Sequence, residues 1–353
     1  MGCRDILGLD PGTGNDSLGE VPPAVSGQVF ERSVGSRSVT ASAKRMNLSG
    51  SDLRLLRVFN AVVRHGGFAA AQSELNVSLS TISNHITALE ERLGVQLCQR
   101  GRGGFRLTEK GELAITAIQR LLHGMDDFAS DMWALRGKLV GELKIGLLDS
   151  VVTDSNSRLH EAIRRFRRRP NAVTFCLFQE QPQVLQEKIL GSIFHLGIGS
   201  TPHRISGLDY EFLYEEHHSL YCGRGHELFA SASQISSIEE VRGYPIASRG
   251  YWREGQLREL GFERVEAIVY HIEPQLSLIM SGGYLGFLPD HYAEPWMANG
   301  QIRKIPDGVA SYTCSFEVMT RRGSRLTELS KTFIADLRAC YRQKSATLTK
   351  AAE

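Results

Sequence analysis

The chain has 353 residues, of which 42% are apolar and 23% are charged, and its formal net charge is +2. These values are ordinary for a globular protein with two or three domains and a sizeable core. Such a small net charge excludes indiscriminate coating of DNA, so any affinity for nucleic acid has to come from a local patch. We find no secretory signal and no apolar run of the roughly 18 residues that a membrane span needs, and we expect a cytoplasmic protein.

Residues 1–46 are rich in Gly, Pro and Ser and offer little apolar surface. We therefore expect this leader to be disordered. Met46 directly precedes Asn47–Asp52, where the first folded domain is predicted to begin. We accordingly expect translation to start at Met46, so that the leader is not part of the native protein.

Two short helices joined by a turn are predicted between Phe68 and Gly94. The first is Ala-rich and ends near Leu75. Ser78 is a good N-cap for the second helix, and Gly94 is suited to the position after its last turn. One face of the second helix is apolar at helical spacing and is predicted to be buried; it consists of Ile82, Ile86, Leu89 and Leu93.

The opposite face of this second helix carries small polar side chains. Ser80, Asn84 and Thr87 lie on it, with Thr81 beside them. An Asn side chain can bond adenine through two groups, and hydroxyl groups can contact bases or phosphates. The pattern predicts a recognition helix in the DNA major groove. The alternative is an ordinary amphipathic hairpin whose polar face meets only water.

A glycine-rich hairpin over residues 99–106 follows the second helix. Its glycines allow a close approach of the backbone, and Arg100, Arg102 and Arg106 offer positive charge to phosphates or to the minor groove. An Arg/Gly hairpin by itself is usually a solvated turn. Its position directly after a recognition helix indicates a winged helix-turn-helix domain over residues 47–107.

A long helix is predicted from Thr108, its N-cap, to about Lys138. Apolar residues alternate along it at spacings of four and three: Ala114, Ile118, Leu121, Met125, Phe128, Met132 and Leu135. A helix over 108–138 is about 45 Å long at 1.5 Å per residue. We predict that it links two domains and pairs with a second copy as a coiled coil. A core helix of a single domain would show the same stripe.

Strands and helices alternate in the remainder of the chain, which favours parallel sheets with crossover helices. We predict strands over 142–148, 173–178, 195–198, 220–222, 245–247, 267–269 and 285–289, and helices over 155–169 and 184–190. The simplest arrangement is two α/β lobes with a ligand cleft between them. Lobe I would comprise 141–205 and about 311–342, and lobe II about 206–310. Residues 343–353 would form a flexible tail.

No catalytic, metal or cofactor motif is found. The cysteines, at positions 3, 98, 176, 222, 314 and 340, are scattered and are predicted to be free thiols. Four metal-capable residues, His217, His218, Cys222 and His226, lie close in sequence. In a strand, however, His217 and His218 would point to opposite faces. We therefore predict no enzyme activity, no metal and no cofactor.

The segment Leu53–Gly111 resembles the DNA-binding domain of LysR-type transcriptional regulators. The residues that carry the resemblance are Phe59, Val62, Gly67, Phe68, Ala70, Ala71, Leu75, Val77, Ser78, Ser83, Leu89, Glu90, Leu93, Gly94, Leu97, Arg100, Leu107, Thr108 and Gly111. Leu79 and Asn84 depart from the family, which usually has a polar residue and an Arg at these positions. Both positions face DNA in the family. The resemblance and the helix pattern together assign DNA contacts to Ser78, Leu79, Ser80, Thr81, Ser83, Asn84, Thr87, Arg100, Arg102 and Arg106.

Residues 141–342 are similar to the effector domain of the same family, which has the fold of type II periplasmic binding proteins. The similarity lies in 141–146 (GELKIG), 196–199 (LGIG) and 281–289 (SGGYLGFLP). It implies an effector cleft lined by Asp149, Ser150, Ser200, Thr201, Ser248, Glu273 and Pro274. Hydroxyl groups and amides at helix starts favour a small anion such as a carboxylate, whereas Asp149 could instead bind an amine. The identity of the ligand stays open.

The resemblance implies an α/β multidomain fold: an all-α winged helix-turn-helix, a linker helix and a two-lobed effector domain. It implies a transcriptional regulator that is controlled by a small-molecule effector. Its expected partners are double-stranded promoter DNA, the effector, RNA polymerase and further copies of the chain in a homodimer or homotetramer. The alternative is a DNA-tethered enzyme, or a metal or redox sensor, that uses the C-terminal α/β domain.

Overall fold

The N-terminal domain contains three helices and a two-stranded hairpin. The computed structural model describes residues 47–99, 104–252 and 256–351. The predicted leader, together with Arg100 and Arg102 of the wing, lies outside the described residues. The elements of this domain are α1 (Gly50–Arg64), α2 (Phe68–Leu75), α3 (Leu79–Leu93), β1 (Cys98–Gln99) and β2 (Arg106–Leu107).

The ends of α3 are fixed by the two residues that the sequence indicated. The Ser78 hydroxyl accepts a hydrogen bond from the Thr81 backbone N–H at 3.2 Å, and Gly94 takes a left-handed conformation with φ +69°. Both features satisfy backbone groups that a helix end leaves unpaired. The predictions of the N-cap and of the C-terminal glycine are confirmed.

A single apolar core holds the three helices together. The predicted buried face of α3 packs into it, with Ile82, Ile86 and Leu89 almost completely buried and Leu93 at its edge. The wing is attached to α2 through an edge-to-face contact between the rings of Phe68 and Phe105, whose centroids lie 5.7 Å apart. The recognition helix is therefore positioned by packing on one face, which leaves its polar face exposed.

The linker helix α4 (Glu109–Ala134) begins after the predicted N-cap, since the Thr108 hydroxyl accepts from the Gly111 N–H at 3.0 Å. The predicted coiled-coil stripe is wrong in its first half. Ala114 and Ile118 do not face a second copy but pack into the core of the DNA-binding domain. The reason is that the first turns of α4 also close this core. Further along α4 the apolar stripe is solvent-exposed; it contains Leu121, Phe128, Met132 and Leu135.

The C-terminal part of α4 contacts the effector domain through polar side chains. Asp131 accepts a hydrogen bond from the Glu328 backbone N–H at 3.1 Å, and Asp127 lies 2.9 Å from Nε2 of His195. Ser130 is buried against Gly141. The linker helix is thus in contact with both domains of the chain.

The effector domain is built on one mixed sheet. Its strands are β3 (Leu139–Leu147), β4 (Asn171–Gln179), β5 (Leu196–Gly199), β6 (Leu208–Gly223), β7 (Ile246–Arg249), β8 (Val265–Val269), β9 (Leu285–Pro289), β10 (Ile302–Lys304) and β11 (Ser311–Arg321). Its helices are α5 (Leu159–Arg167), α6 (Pro182–Leu190), α7 (Gln256–Glu259), α8 (Ile272–Met280), α9 (Asp290–Ala298) and α10 (Glu328–Ala351). Short 3-10 turns lie between β6 and β7.

The strand order β4-β3-β5-β11-β6-β9-β7-β8 divides this sheet into two parallel halves. In lobe I, β3 is parallel to β4 and β5; in lobe II, β7 is parallel to β8 and β9. The antiparallel pair β6 and β11 joins the two halves. Strand β11 pairs with β5 of lobe I, and β6 pairs with β9 of lobe II. The two-lobed α/β architecture is confirmed, although the sheet as a whole is mixed and not parallel.

Three local predictions in the effector domain are wrong. The strand predicted over 220–222 is the end of the 16-residue strand β6, and no strand was predicted for β11. Internal charged residues such as Glu216 and Glu317 interrupt the apolar patterns of these strands. Helix α5 begins at Leu159 and not at 155. Helix α10 continues to Ala351, into the predicted tail over 343–353, whose flexibility stays a prediction.

Gly111 provides a test of how closely α4 approaches the wing. A Cβ atom at Gly111 would lie 1.9 Å from the carbonyl oxygen of Leu97, which is itself held by the Thr108 N–H at 3.0 Å. Gly111→Ala is therefore expected to lower the free energy of unfolding of the DNA-binding domain by about 1–3 kcal/mol. Urea or thermal unfolding measures this change.

Gly50→Ala is the matched control, because a Cβ at Gly50 meets nothing within 4 Å. It should leave stability unchanged or raise it by up to about 1 kcal/mol. Equal stabilities of the two variants would show that α4 and the wing are not in close contact in solution.

Candidate DNA-binding and effector-binding sites

The predicted DNA-contacting face of α3 is exposed. Ser80, Asn84 and Thr87 lie opposite the buried stripe and are accessible to solvent. Leu79 is 47% exposed, although it is a large apolar residue. An exposed Leu at the first turn of a recognition helix can contact a thymine methyl group, as an apolar side chain does in the major groove.

The polar side chains on this face differ in how many of their hydrogen-bonding groups are already used within the protein. The Ser78 hydroxyl lies 2.8 Å from the hydroxyls of both Ser80 and Thr81, and the Thr87 hydroxyl donates to the Ser83 carbonyl at 3.1 Å. Among the described residues, the side-chain amide of Asn84 has no hydrogen-bond partner. Asn84 therefore carries the largest unused capacity for hydrogen bonding to a base.

Of the three arginines predicted in the wing, Arg106 is the one that lies within the described residues. It lies on β2 opposite Gln99 and is exposed. Within the described ranges it forms no ion pair, so its guanidinium is available to a phosphate. Ser78, Thr81 and Ser83 sit on the first turns of the same recognition helix.

The predicted effector residues come from both lobes, and Asp149 connects them. Asp149 follows β3 in lobe I, and its Oδ2 accepts a hydrogen bond of 2.7 Å from the backbone N–H of Ile272, the first residue of α8 in lobe II. The same oxygen lies 3.4 Å from Nη1 of Arg249 and 4.0 Å from Nδ1 of His271. The anion at this helix start is thus the protein's own carboxylate.

Arg249, which the sequence analysis missed, is a buried cation beside Asp149. Its side chain is 5% exposed, and its only hydrogen bond to the described residues is the 3.4 Å contact with Asp149. Burial alone would lower the pKa of Arg249, but Tyr251 and Asp149 beside it keep that pKa above its ordinary value. A charged guanidinium has five N–H donors, so most of its bonding capacity is unused here.

The remaining predicted effector residues occupy different environments. Ser200 and Thr201 follow β5, which is parallel to β3, so they share the sheet edge with Asp149 and Ser150. The Thr201 hydroxyl is buried and has no hydrogen-bond partner in the described ranges.

In lobe II, Ser248 lies on β7 and its hydroxyl donates to the Arg249 carbonyl at 3.3 Å. Glu273 and Pro274 lie on the first turn of α8, as the resemblance implied, and are exposed. These two residues are therefore at the rim of the cleft and not on its buried floor.

Two tyrosine side chains, those of Tyr251 and Tyr312, lie next to Arg249. Burial raises the pKa of Tyr251 to about 12 and raises the pKa of Tyr312, so both phenols are neutral donors at neutral pH. A sequence signal for Arg249 did exist, since a charged residue at the carboxyl end of an apolar strand is unusual. Tyr312 gave no such signal, because strand β11 itself was not predicted.

The four metal-capable residues noted in the sequence do not form one site. The side chain of His217 faces Thr313 and Asp307, whereas that of His218 faces Glu216 on the other side of β6. Cys222 contacts the Arg303 carbonyl, and His226 caps a 3-10 turn. The expectation that His217 and His218 lie on opposite faces is confirmed.

Two family models match the chain. Residues 53–112 match the bacterial regulatory helix-turn-helix protein of the lysR family, and residues 136–341 match the LysR substrate binding domain. Within the described residues, no helix has the length and apolarity that a membrane crossing requires.

Relatives align along most of the chain. The HTH-type transcriptional activator BauR of Pseudomonas aeruginosa is 35% identical over 280 residues, which cover 79% of this chain and 92% of that protein. The regulator TfdS of Cupriavidus pinatubonensis is 28% identical over 280 residues, covering 76% and 92%.

Solved structures show the same fold. The LysR-family regulator CbnR aligns with a TM-score of 0.61 at 22% identity, covering 82% of this chain and 99% of that one. Full-length CbnR in complex with its target DNA aligns with a TM-score of 0.59 at 21% identity, with the same coverage. The matches to both family models and the extended identity to a regulator show that the chain belongs to the LysR family of transcriptional regulators, with a DNA-binding helix-turn-helix and an effector-binding domain.

Proposed function

We propose that this regulator binds a small organic anion, such as a carboxylate, on Arg249 in the cleft between its lobes. The observation that carries the proposal is the buried guanidinium, whose single hydrogen bond to the described residues is long. Burying a charge without full compensation is costly, and a carboxylate can bond a guanidinium through two parallel hydrogen bonds. In this proposal the predicted residues Ser150, Ser200, Thr201 and Ser248 contribute hydroxyl groups to the same site.

Asp149 gives this site a means of control. Its carboxylate holds the start of α8 and faces Arg249, so it links lobe I to lobe II. An effector carboxylate would compete with Asp149 for these donors and release the link. Because the effector binds one arrangement of the lobes better than the other, it shifts the equilibrium between them.

The DNA-binding part of the proposal assigns base contacts to Leu79, Ser80, Asn84 and Thr87, with Ser78, Thr81 and Ser83 at the helix start. Arg106, and with it Arg100 and Arg102, would bind phosphates or the minor groove. The exposure of the α3 face and the free amide of Asn84 support this assignment. A regulator of promoter DNA acts in the cytoplasm, and the proposal gives the cleft no catalytic role.

The exposed stripe of α4 is proposed to pair with a second copy of the chain. Phe128 is 64% exposed and Leu135 is 80% exposed, on the same side of the helix. A contiguous apolar stripe of this kind marks a protein–protein interface. Two paired chains would bring two recognition helices to the half-sites of one operator.

Asn84→Ala tests the base contacts. Loss of a bidentate contact should weaken binding to the specific site by roughly tenfold or more, because such a pair is worth about 1–3 kcal/mol. Binding to unrelated DNA should be unchanged. The specific site is taken from promoter fragments that the protein selects from genomic DNA. The affinity for each DNA is measured by fluorescence anisotropy at physiological salt.

Thr116→Ala is the control for this experiment, since Thr116 is exposed on α4 and its hydroxyl only donates to the Glu112 carbonyl. An equal loss on specific and unrelated DNA would show that Asn84 contacts phosphate and not a base.

Arg249→Gln tests the effector site. A panel of small carboxylates and small amines is titrated into the full-length protein by calorimetry. We expect a carboxylate to bind, and we expect Arg249→Gln to raise its Kd by roughly tenfold or more, since hydrogen bonds to charged groups contribute about 1.5–3 kcal/mol.

Asp149→Asn is the companion variant, because it removes the competing charge and should tighten carboxylate binding. If an amine binds and Asp149→Asn abolishes that binding, the ligand is a cation held by Asp149 and the proposal is wrong.

Phe128→Glu tests the pairing of α4. A charge in the middle of the apolar stripe should dissociate the oligomer, as measured by sedimentation velocity. Thr116→Glu adds the same charge on the other side of α4 and should leave the assembly intact. An oligomer that withstands Phe128→Glu would place the interface elsewhere.

A further inference from the structure

A cluster of metal-capable side chains lies on the two strands that join the lobes. In the antiparallel pairing of β6 and β11, Cys314 is directly opposite Glu216, and Tyr312 is directly opposite His218. Glu216 and His218 are two residues apart on β6 and share one face of the sheet. The backbone register therefore brings a carboxylate, an imidazole and a thiol together, although Cys314 is distant in sequence.

The distances among the three donor atoms are close to those of a tetrahedral zinc site. Sγ of Cys314 lies 3.5 Å from Nε2 of His218 and 3.8 Å from Oε2 of Glu216, while Nε2 and Oε2 are 2.7 Å apart. Zinc–ligand bonds of 2.0–2.3 Å at tetrahedral angles separate a sulfur from a nitrogen or oxygen ligand by about 3.5 Å, and a nitrogen from an oxygen ligand by about 3.3 Å. The sulfur is already in place, and only the nitrogen and the oxygen have to move apart, by about 0.6 Å on the same geometry.

The cluster carries a buried negative charge. Glu216 is 4% exposed, and its ion-pair partners among the described residues are the imidazoles of His218 and His291. A divalent cation would neutralise this carboxylate more fully than two imidazoles do.

Neighbouring groups orient the ligands as outer-shell residues do in metal sites. Oη of Tyr312 lies 3.0 Å from Nδ1 of His218, and the two rings stack with centroids 4.5 Å apart. An ion at Nε2 would replace the hydrogen bond between His218 and Glu216, and the imidazole would then carry its proton on Nδ1 and donate it to Tyr312. On the other side, Nε2 of His291 lies 2.9 Å from Oε1 of Glu216 and holds the carboxylate in place.

An unsatisfied buried oxygen lies next to the cluster. Oδ2 of Asp154 is buried and has no hydrogen-bond partner within the described ranges; it lies 3.7 Å from Nε2 of His291. Asp154, Glu216 and His291 each offer a ligand atom within 4.8 Å of the other two. Asp154 therefore adds a second buried carboxylate next to Glu216, and His291 lies between the two.

We propose that Glu216, His218 and Cys314 bind one divalent transition-metal ion of the zinc type, with water as the fourth ligand. A mixed nitrogen, sulfur and oxygen set selects zinc over magnesium or calcium, which prefer oxygen ligands alone. Binding converts the Cys314 thiol to a thiolate, and its proton passes to solvent. Three protein ligands leave one position open for the water.

A second group, His217, Asp290 and Asp307, does not compete for the ion. Nζ of Lys304 lies 2.9 Å from a carboxylate oxygen of each aspartate and already supplies the positive charge. Within the described ranges, no Lys or Arg forms an ion pair with Glu216 in the site proposed here. His217 therefore serves as a control residue next to His218.

The experiment uses the full-length chain, freed of metal with a chelator. Zn²⁺ is titrated in competition with a chromophoric chelator, and Co²⁺ is titrated separately with the absorption spectrum recorded. We expect one ion per protomer with a Kd of about 1 µM or lower. We also expect a thiolate-to-cobalt charge-transfer band with intense visible absorption from a four-coordinate ion.

Cys314→Ser should remove the charge-transfer band, and His218→Asn should weaken Zn²⁺ binding at least tenfold. The controls Cys222→Ser and His217→Asn should bind as the parent protein does. Stoichiometric binding without a thiolate band, binding that survives both test variants, or no binding at micromolar Zn²⁺ would each overturn the proposal. The cobalt spectrum of the unaltered chain decides the matter even if a variant fails to fold.

Discussion

The antiparallel pairing of β6 with β11 is the contact on which the effector domain depends. These strands run between the lobes: β11 pairs with β5 on one side, and β6 pairs with β9 on the other. Each lobe has its own apolar core, built around Phe166 and Phe333 in lobe I and around Phe262 and Phe287 in lobe II. Because two strands connect two separate cores, a change in the angle between the lobes needs little repacking.

Charged side chains form the contacts between the two lobes, and such contacts can be replaced by contacts with a ligand. Asp149 reaches across the cleft to Arg249 and to the start of α8, while Asp154 and His291 make a second contact between the lobes. Buried ion pairs gain little net stability, since desolvation offsets their attraction. Such contacts can therefore be exchanged for contacts with a ligand at small cost, as a ligand-controlled cleft requires.

The linker helix packs against both the effector domain and the DNA-binding domain. Its first turns are part of the helix-turn-helix core through Ile115 and Ile118, and its last turns bind lobe I through Asp127 and Asp131. A continuous helix is stiff, so a movement of lobe I relocates the recognition helix. This coupling suits a regulator whose effector changes the spacing of DNA-binding domains on a promoter.

The sequence by itself determined the recognition helix, its caps at Ser78 and Gly94, and the two α/β lobes. These features follow from local periodicity and capping chemistry, which act over a few residues. Only the tertiary structure showed the lengths of β6 and β11, the burial of Arg249 beside Asp149, and the pairing of Glu216 with Cys314. Strand pairing joins residues that are far apart in the chain, and its register cannot be read from either strand alone. Buried charged residues such as Glu216 and Glu317 also interrupt the apolar pattern by which a strand is predicted. For this reason β11, and most of β6, were not predicted from the sequence.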